Sequence, residues 1–310
     1  MLLSVMIHDR SNLANVGMNV VIGGLALVFV YVCATCINDL VDWRLDIINL
    51  QGHADRPLIT GEGSRKDLIA LMIFAAATAI CLAALVNVTV LITVVVGIIV
   101  NALYSLPPIR ISYKAILTPF YLALCYVLIP YQVGYGIVSN QNDVSFSWQY
   151  LMVFYLMFLA RICLKDFRDR KGDALAGKPT LILKYGKGAV CAISTMSILL
   201  GGAILIVTSS HQPLLQWLVV LFIASLMVVE YQLYTAQTES FELLSIGYGA
   251  RMGNGILFAL LGTFLLRTQQ ASIADLVIFY CSLIGIYGWF FWQYIKYPKT
   301  FYFGKKKVIA

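Results

Sequence analysis

Nine apolar runs, each about as long as a bilayer is thick, follow one another along this 310-residue chain. They lie near 14–38, 67–86, 88–106, 115–138, 147–165, 188–208, 214–236, 244–268 and 273–297. Such runs leave few folding choices. In hydrocarbon every backbone N–H and C=O needs an internal partner, so a single run crosses as an α-helix. Composition agrees: 60% of residues are hydrophobic and 12% charged, against about 25% charged in a soluble domain. The expected fold is all-α, a polytopic membrane helix bundle of about nine transmembrane helices. No stretch is long and polar enough for a separate soluble domain, so residues 1–310 are expected to form one transmembrane domain. Residues 1–7 are apolar, but no small-residue cleavage site follows them, and a signal peptide is not expected.

The net charge of +7 is informative through its placement. With nine spans, alternate loops fall on two sides. One side collects 18 of the 22 basic residues, from Arg44, Arg56, Arg65 and Lys66 through Arg110, Lys114 and Lys165 to the Lys-rich tail. The other side has only Arg10 and Arg267. The positive-inside rule puts the crowded side in the cytoplasm, with the N-terminus outside and the C-terminus inside a multi-pass cell-membrane protein. A basic rim of this kind suits anionic lipid and diphosphate ligands, and no nucleic-acid partner is expected. The seven cysteines all sit in or beside apolar helices. Cys33-x-x-Cys36 has no second pair and no histidine cluster beside it, so a structural role is expected for it.

Two acidic runs interrupt this apolar chain. One spans Asn38, Asp39, Asp42 and Asp46, the other Lys165, Asp166, Asp169 and Asp173. Both space three aspartates at i, i+3 and i+7, and together they hold six of the chain's 11 aspartates. That spacing puts three carboxylates on one helix face. Both runs begin at the cytoplasmic ends of expected spans that run in the same direction, so they can face each other. Carboxylates brought so close repel and need cations. Oxygen-only ligands select hard cations, and Mg²⁺ commonly combines a few carboxylates with substrate phosphates. A loop of about 20 residues follows the first run and contains Asp55, Arg56 and Pro57; loops this long are often functional. Pro107 and Pro108 end another span just before Arg110. Pro130, Gly134 and Gly136 predict a kinked or closely packed fourth span.

Prenyl transfer fits these features. A prenyl diphosphate has an apolar tail suited to a membrane pocket and a head suited to Mg²⁺, Lys and Arg. Breaking its C–O bond develops negative charge on the diphosphate, which those cations stabilise most in the transition state. The allylic cation must be kept from water.

The motifs resemble those of the UbiA superfamily of intramembrane prenyltransferases. Residues 38–46 match its N-D-x-x-D-x-x-x-D run in full. Asp55-Arg56-Pro57-Leu58 resembles its Arg-Pro loop, and Tyr104-Ser105-x-Pro107-Pro108-x-Arg110 its Y-S-x-P-P-x-R stretch. Residues 165–173, followed by Gly177, Thr180 and Gly186, resemble its second acidic region. The resemblance implies a bundle around a central cavity. It implies that Asn38, Asp42, Asp46, Asp166, Asp169 and Asp173 hold Mg²⁺ and the diphosphate, with Asp39 behind them at the substrate pocket. Arg56, Arg110, Lys114 and Lys165 are the expected diphosphate contacts. Asp42, Asp169 and Tyr104 are the expected catalytic groups, with Tyr104 near the reacting carbon. Arg161 and Arg251 are intramembrane charges and hence candidates for the substrate pocket, although Glu230 could instead pair with Arg251.

The chain departs from the family pattern at both ends. Only 13 residues precede the first motif's helix, so Met1–Ile7 is expected to be the tail of a missing first span. The run at 273–297 is an additional last span. The expected reaction moves a polyprenyl group from a polyprenyl diphosphate to a small acceptor. An aromatic ring of the hydroxybenzoate or quinone-precursor type is favoured; a glycerol phosphate, sugar phosphate or porphyrin acceptor stays open. A cation transporter, the rival from another class, would want its acids near the bilayer midplane. A phospholipid head-group transferase would need glycine where Trp43 stands.

Overall fold

The structure, a computed structural model, describes residues 1–8, 13–49, 57–139, 145–208, 213–268 and 270–296. At a few helical positions, Arg251 among them, it describes the backbone alone. All regular structure among the described residues is helical. The helices are α1 (Leu2–His8), α2 (Leu13–Asn49), α3 (Pro57–Thr60), α4 (Arg65–Val86), α5 (Val88–Ser105) and α6 (Leu117–Ser139). They continue as α7 (Trp148–Cys163), α8 (Lys165–Leu175), α9 (Leu181–Thr208), α10 (Pro213–Thr235), α11 (Glu239–Thr268) and α12 (Ile273–Lys296). A 3₁₀ turn, Ile111–Tyr113, joins α5 to α6.

Seven helices among the described residues are long and apolar enough to cross a membrane: α2, α4, α5, α6, α9, α10 and α12. The described residues do not confirm the expected count of nine. The fifth apolar run yields α7, whose 16 residues reach about 24 Å against a hydrocarbon thickness of about 30 Å. A turn at Leu164 then starts α8, so the second acidic run forms its own helix rather than the tail of a span. The eighth run lies in α11, a 30-residue helix outside those seven.

Polar side chains punctuate the apolar helices. Ser64 caps α4: its hydroxyl accepts from Asp67 N at 3.2 Å, and Asp67 Oδ2 accepts from Ser64 N at 2.8 Å. This is a reciprocal capping box. Asn87 alone separates α4 from α5. Its Oδ1 accepts from Val90 N at 2.9 Å, and its Nδ2 donates to Gly136 O on α6 at 2.9 Å.

The chain folds into two compact units. The first comprises Met1–Leu151 with Asp169–Lys184. Its core joins Val5 of α1, Ala26 and Val30 of α2, Ala79 and Ala83 of α4, Val90 and Val94 of α5, and Val133 and Ile137 of α6. Ala75, Ala79 and Ala83 recur every turn along α4 and are fully buried. Small side chains at that spacing let helices approach closely in a membrane. Gly134 brings α6 against α1.

The second unit comprises 152–168 and the chain from Tyr185 onward. Ser194 of α9 is central to it. Its hydroxyl lies 2.9 Å from Ala160 O of α7 and is hydrogen-bonded to the buried Glu230 of α10. Glu230 therefore has a neighbour other than the expected Arg251, whose side chain lies outside the described residues.

Candidate active site

Asp42 is the best-defined polar centre of the first unit. It lies in the last third of α2, in the polar end of an otherwise mostly apolar helix, and is 6% exposed. Both carboxylate oxygens have protein donors. Arg110 Nη2 donates to Oδ1 at 2.9 Å, and Asn38 Nδ2, one turn earlier on α2, donates to Oδ2 at 3.2 Å. The ion pair is largely withdrawn from water, with side-chain exposures of 28% for Arg110 and 7% for Asp42.

The local sequence explains how Arg110 reaches Asp42. Helix α5 stops at Ser105 ahead of the two prolines, and Arg110 N closes the following turn on Leu106 O at 2.9 Å. Arg110 has φ 37°, a left-handed conformation that costs a non-glycine residue about 1–2 kcal/mol. The strain is held on both sides. The guanidinium pairs with Asp42, and it stacks 3.8 Å from the centroid of Tyr113 in the next turn. Tyr113 N in turn donates to Arg110 O at 3.0 Å. Arg110 Nε and Ser112 Oγ are buried with no hydrogen-bond partner among the described residues. Lys114 follows at the end of the 3₁₀ turn. On α5, Tyr104 stacks nearly parallel to Tyr121, with centroids 6.4 Å apart and an interplanar angle of 13°. Tyr121 is fixed by a 2.8 Å bond from its hydroxyl to Val100 O.

The second acidic run lies on α8. Asp173 is 3% exposed, and Lys178 Nζ stands 3.8 Å from its Oδ1. Gly177, at φ 64°, turns the chain back so that Lys178 N donates to Asp173 O at 2.8 Å. Thr180 Oγ1, just before α9, is buried with no hydrogen-bond partner among the described residues.

The structure thus joins Asn38, Asp42 and Arg110 directly and puts Asp39 and Asp46 on the same helix. Tyr104, Lys114, Asp169 and Asp173 belong to the same unit as these. Asp166, Lys165 and Arg161 belong to the second unit, where Lys165 and Arg161 are exposed. Arg56 and the Arg251 side chain lie outside the described residues. Sequence reasoning missed Tyr113, the platform under Arg110; its signal was an aromatic residue three positions after the arginine. It also missed Lys178 as the partner of Asp173.

The donor set fits Mg²⁺ in its chemistry: carboxylates and an amide, with no thiolate or imidazole among them. Among the described residues no three His, Cys, Asp or Glu side chains form a ready-made metal cluster. Mg²⁺ seldom uses all-protein cages and is usually completed by substrate phosphates. The buried, unpaired Arg110 Nε is a donor suited to such a phosphate.

Apolar helices long enough to span, with a buried carboxylate at the end of one joined to a half-buried amide and guanidinium, define a multi-pass membrane protein with a polar site at one helix end. The chain belongs to the UbiA prenyltransferase family, whose model matches residues 2–242. It is therefore a transferase of prenyl groups by family. Among curated relatives, the digeranylgeranylglyceryl phosphate synthase of Methanobrevibacter smithii is 24% identical over 280 residues, 85% of this chain and 82% of that protein. The synthase of the same name from Methanopyrus kandleri is 29% identical over 171 residues, 53% of this chain. The chain spans 58% of that relative's length. A solved structure concerning digeranylgeranylglyceryl phosphate synthase in membranes superposes with a TM-score of 0.61 at 18% identity, covering 86% of this chain and 90% of that one. A UbiA homologue of Archaeoglobus fulgidus, solved with DMAPP and Mg²⁺ bound, gives 0.58 at 17% identity, covering 82% of this chain and 94% of that one. At these identities the two structures share the fold.

Proposed function

We propose that this protein transfers a prenyl group from a prenyl diphosphate to the hydroxyl of a prenylated glycerol phosphate. The Asn38–Asp42–Arg110 constellation, built on the buried Asp42 carboxylate, supports the diphosphate half of this reading. The acceptor half rests on the relatives, whose shared name denotes a glycerol phosphate carrying two geranylgeranyl groups. The aromatic acceptor favoured by the sequence therefore gives way to its alternative.

In this reaction the C1–O bond of the donor breaks, an acceptor oxygen bonds to C1, and the acceptor proton leaves to a base. Asn38, Asp42 and Asp46, with Asp166, Asp169 and Asp173, would hold Mg²⁺. When bound, the metal neutralises charge on the departing diphosphate. Arg110, Arg56, Lys114 and Lys165 would supply the positive charge that stabilises the same leaving group. The Tyr104 ring offers its negative face to the developing allylic cation. An aspartate of the second run, Asp169 among the expected catalytic groups, would take up the acceptor proton when it is not bound to the metal. The positive-inside bias supports a cytoplasmic mouth for this site.

The test uses the full chain in detergent with geranylgeranyl diphosphate, Mg²⁺ and either geranylgeranylglyceryl phosphate or 4-hydroxybenzoate. The expected product, by mass spectrometry, is the doubly prenylated glycerol phosphate. Its formation should stop with EDTA and fall about 10²–10³-fold in Asp42→Ala, the loss typical of one transition-state charge contact. Prenylated hydroxybenzoate without the glycerol product would overturn the acceptor assignment. Unchanged diphosphate release in Asp42→Ala would overturn the site.

A further inference from the structure

The first unit carries a second amphipathic feature, along the flank of α2. An apolar groove of about 600 Å³ runs between α2 and α4, with α5 at its base. Cys33, Ile37 and Leu40 line it from α2, and Met72, Ala76 and Ile80 line it from α4. Leu40 and Asp42 are two residues apart, hence about 200° apart around the helix. Val41, about 100° from Asp42, and Leu106 at the end of α5 also line it, so the groove runs along the flank of α2 beside the carboxylate face.

One end of this groove is basic. Arg65 lies two turns before Met72 on α4, and its Nη2 donates to Leu40 O at 3.3 Å, bridging the two walls. Its guanidinium carbon is 5.6 Å from the centroid of Trp43, and that of Arg44 is 5.5 Å from the same ring. Two exposed arginines thus converge on one indole at the mouth of an apolar channel. Neither pairs with a carboxylate among the described residues. Asp67, two residues after Arg65, is committed to Ser64 through its capping bonds. Indole rings favour the membrane interface, where one edge is apolar and the other wet.

We propose that this groove is a binding site for an anionic phospholipid. The phosphate would be held by Arg44 and Arg65, and one acyl chain would lie along Leu40, Ile37 and Cys33. Charge complementarity selects this occupant. A zwitterionic lipid fills the apolar part equally well, but its own cation opposes the two guanidinium groups. The proposal rests on the groove's own lining and on the two arginines and does not depend on the assignment of donor or acceptor.

Native mass spectrometry of the full chain in detergent, with phosphatidylglycerol or phosphatidylcholine of the same acyl composition, tests the proposal. Phosphatidylglycerol adducts should form in preference. An Arg44→Gln, Arg65→Gln double variant should bind phosphatidylglycerol about thirtyfold more weakly, from about 1 kcal/mol per basic residue near an anionic lipid. Ala76→Phe, with both arginines kept, should weaken both lipids by filling the groove. Should Ala76→Phe fail to fold, the double variant, altered only at exposed positions, still decides. Equal binding of the two lipids, or unchanged phosphatidylglycerol binding in the double variant, would overturn the proposal. So would geranylgeranyl diphosphate displacing the lipid in an arginine-dependent way, which would make the groove a donor site. A dimer lost in Ala76→Phe would overturn it too, by making the groove a contact between copies.

Discussion

The ion pair between Arg110 and Asp42 supports a quantitative prediction. The contact is 2.9 Å, Asp42 is almost wholly buried and Arg110 about a quarter exposed. Fully exposed pairs couple by about 0.2–1 kcal/mol, and hydrogen bonds to buried charged groups contribute about 1.5–3 kcal/mol. With one partner dry and the other partly wet, a double-mutant cycle of Asp42→Asn and Arg110→Gln should give a coupling of about 2 kcal/mol. The backbone adds a second expectation. Arg110 sits at φ 37°, where glycine is unstrained and other residues pay about 1 kcal/mol or more. Arg110→Gly loses the same ion pair as Arg110→Gln but releases that strain. It should therefore be more stable than Arg110→Gln by about 1 kcal/mol. Equilibrium unfolding in mixed micelles, followed by circular dichroism, measures both quantities. A coupling under about 0.5 kcal/mol would refute the buried-pair reasoning, and a glycine variant less stable than the glutamine one would refute the strain reasoning.

Two further outcomes are expected. Gly134→Ala would put a Cβ 2.6 Å from Met1 O and 2.8 Å from Ser4 Cβ, whereas Gly288→Ala meets nothing within 4 Å. Overpacking costs about 1–3 kcal/mol, so Gly134→Ala should lower the melting temperature while Gly288→Ala should not; equal melting of the two variants would contradict the close α1–α6 approach. His8 is bonded at both nitrogens: Nδ1 donates to Ser4 O at 2.7 Å, and Nε2 accepts from Ser147 N at 3.1 Å. Burial lowers its pKa below the ordinary 6.5, with the bond to Ser4 only partly opposing the shift. Its stabilising contribution is thus complete above about pH 6.5 and is lost as pH falls and the ring must take up a proton. Melting curves of wild type and His8→Gln should therefore diverge above that pH and converge below it; a constant gap would exclude the role.

The first acidic run and the Tyr-Ser-Leu-Pro-Pro-Ile-Arg segment (Tyr104 to Arg110) were legible because they are polar exceptions in an apolar chain, and desolvation makes such exceptions costly unless they are used. The conversion of Arg110 into the partner of Asp42 was not legible. It depends on a left-handed residue after two prolines and on an aromatic platform in the next turn. The break at Leu164 was hidden because no proline or glycine marks it: Cys163, Leu164, Lys165 and Asp166 all suit a helix.

Residue order alone makes this chain a multi-span helical membrane protein. Runs of about 20 apolar residues can satisfy their backbone in lipid only as helices, and that requirement is local. Its two aspartate runs also fixed the kind of ligand to look for, because carboxylate spacing on a helix is a matter of residue count alone. Tertiary structure decided which polar side chains meet. Asp42 finds Arg110 across 68 residues of sequence, and the two arginines beside Trp43 come from different helices. Such pairings follow from how close neighbouring helices can pack, set here by small residues such as Ala79, Ala83 and Gly134, and no single segment contains that information.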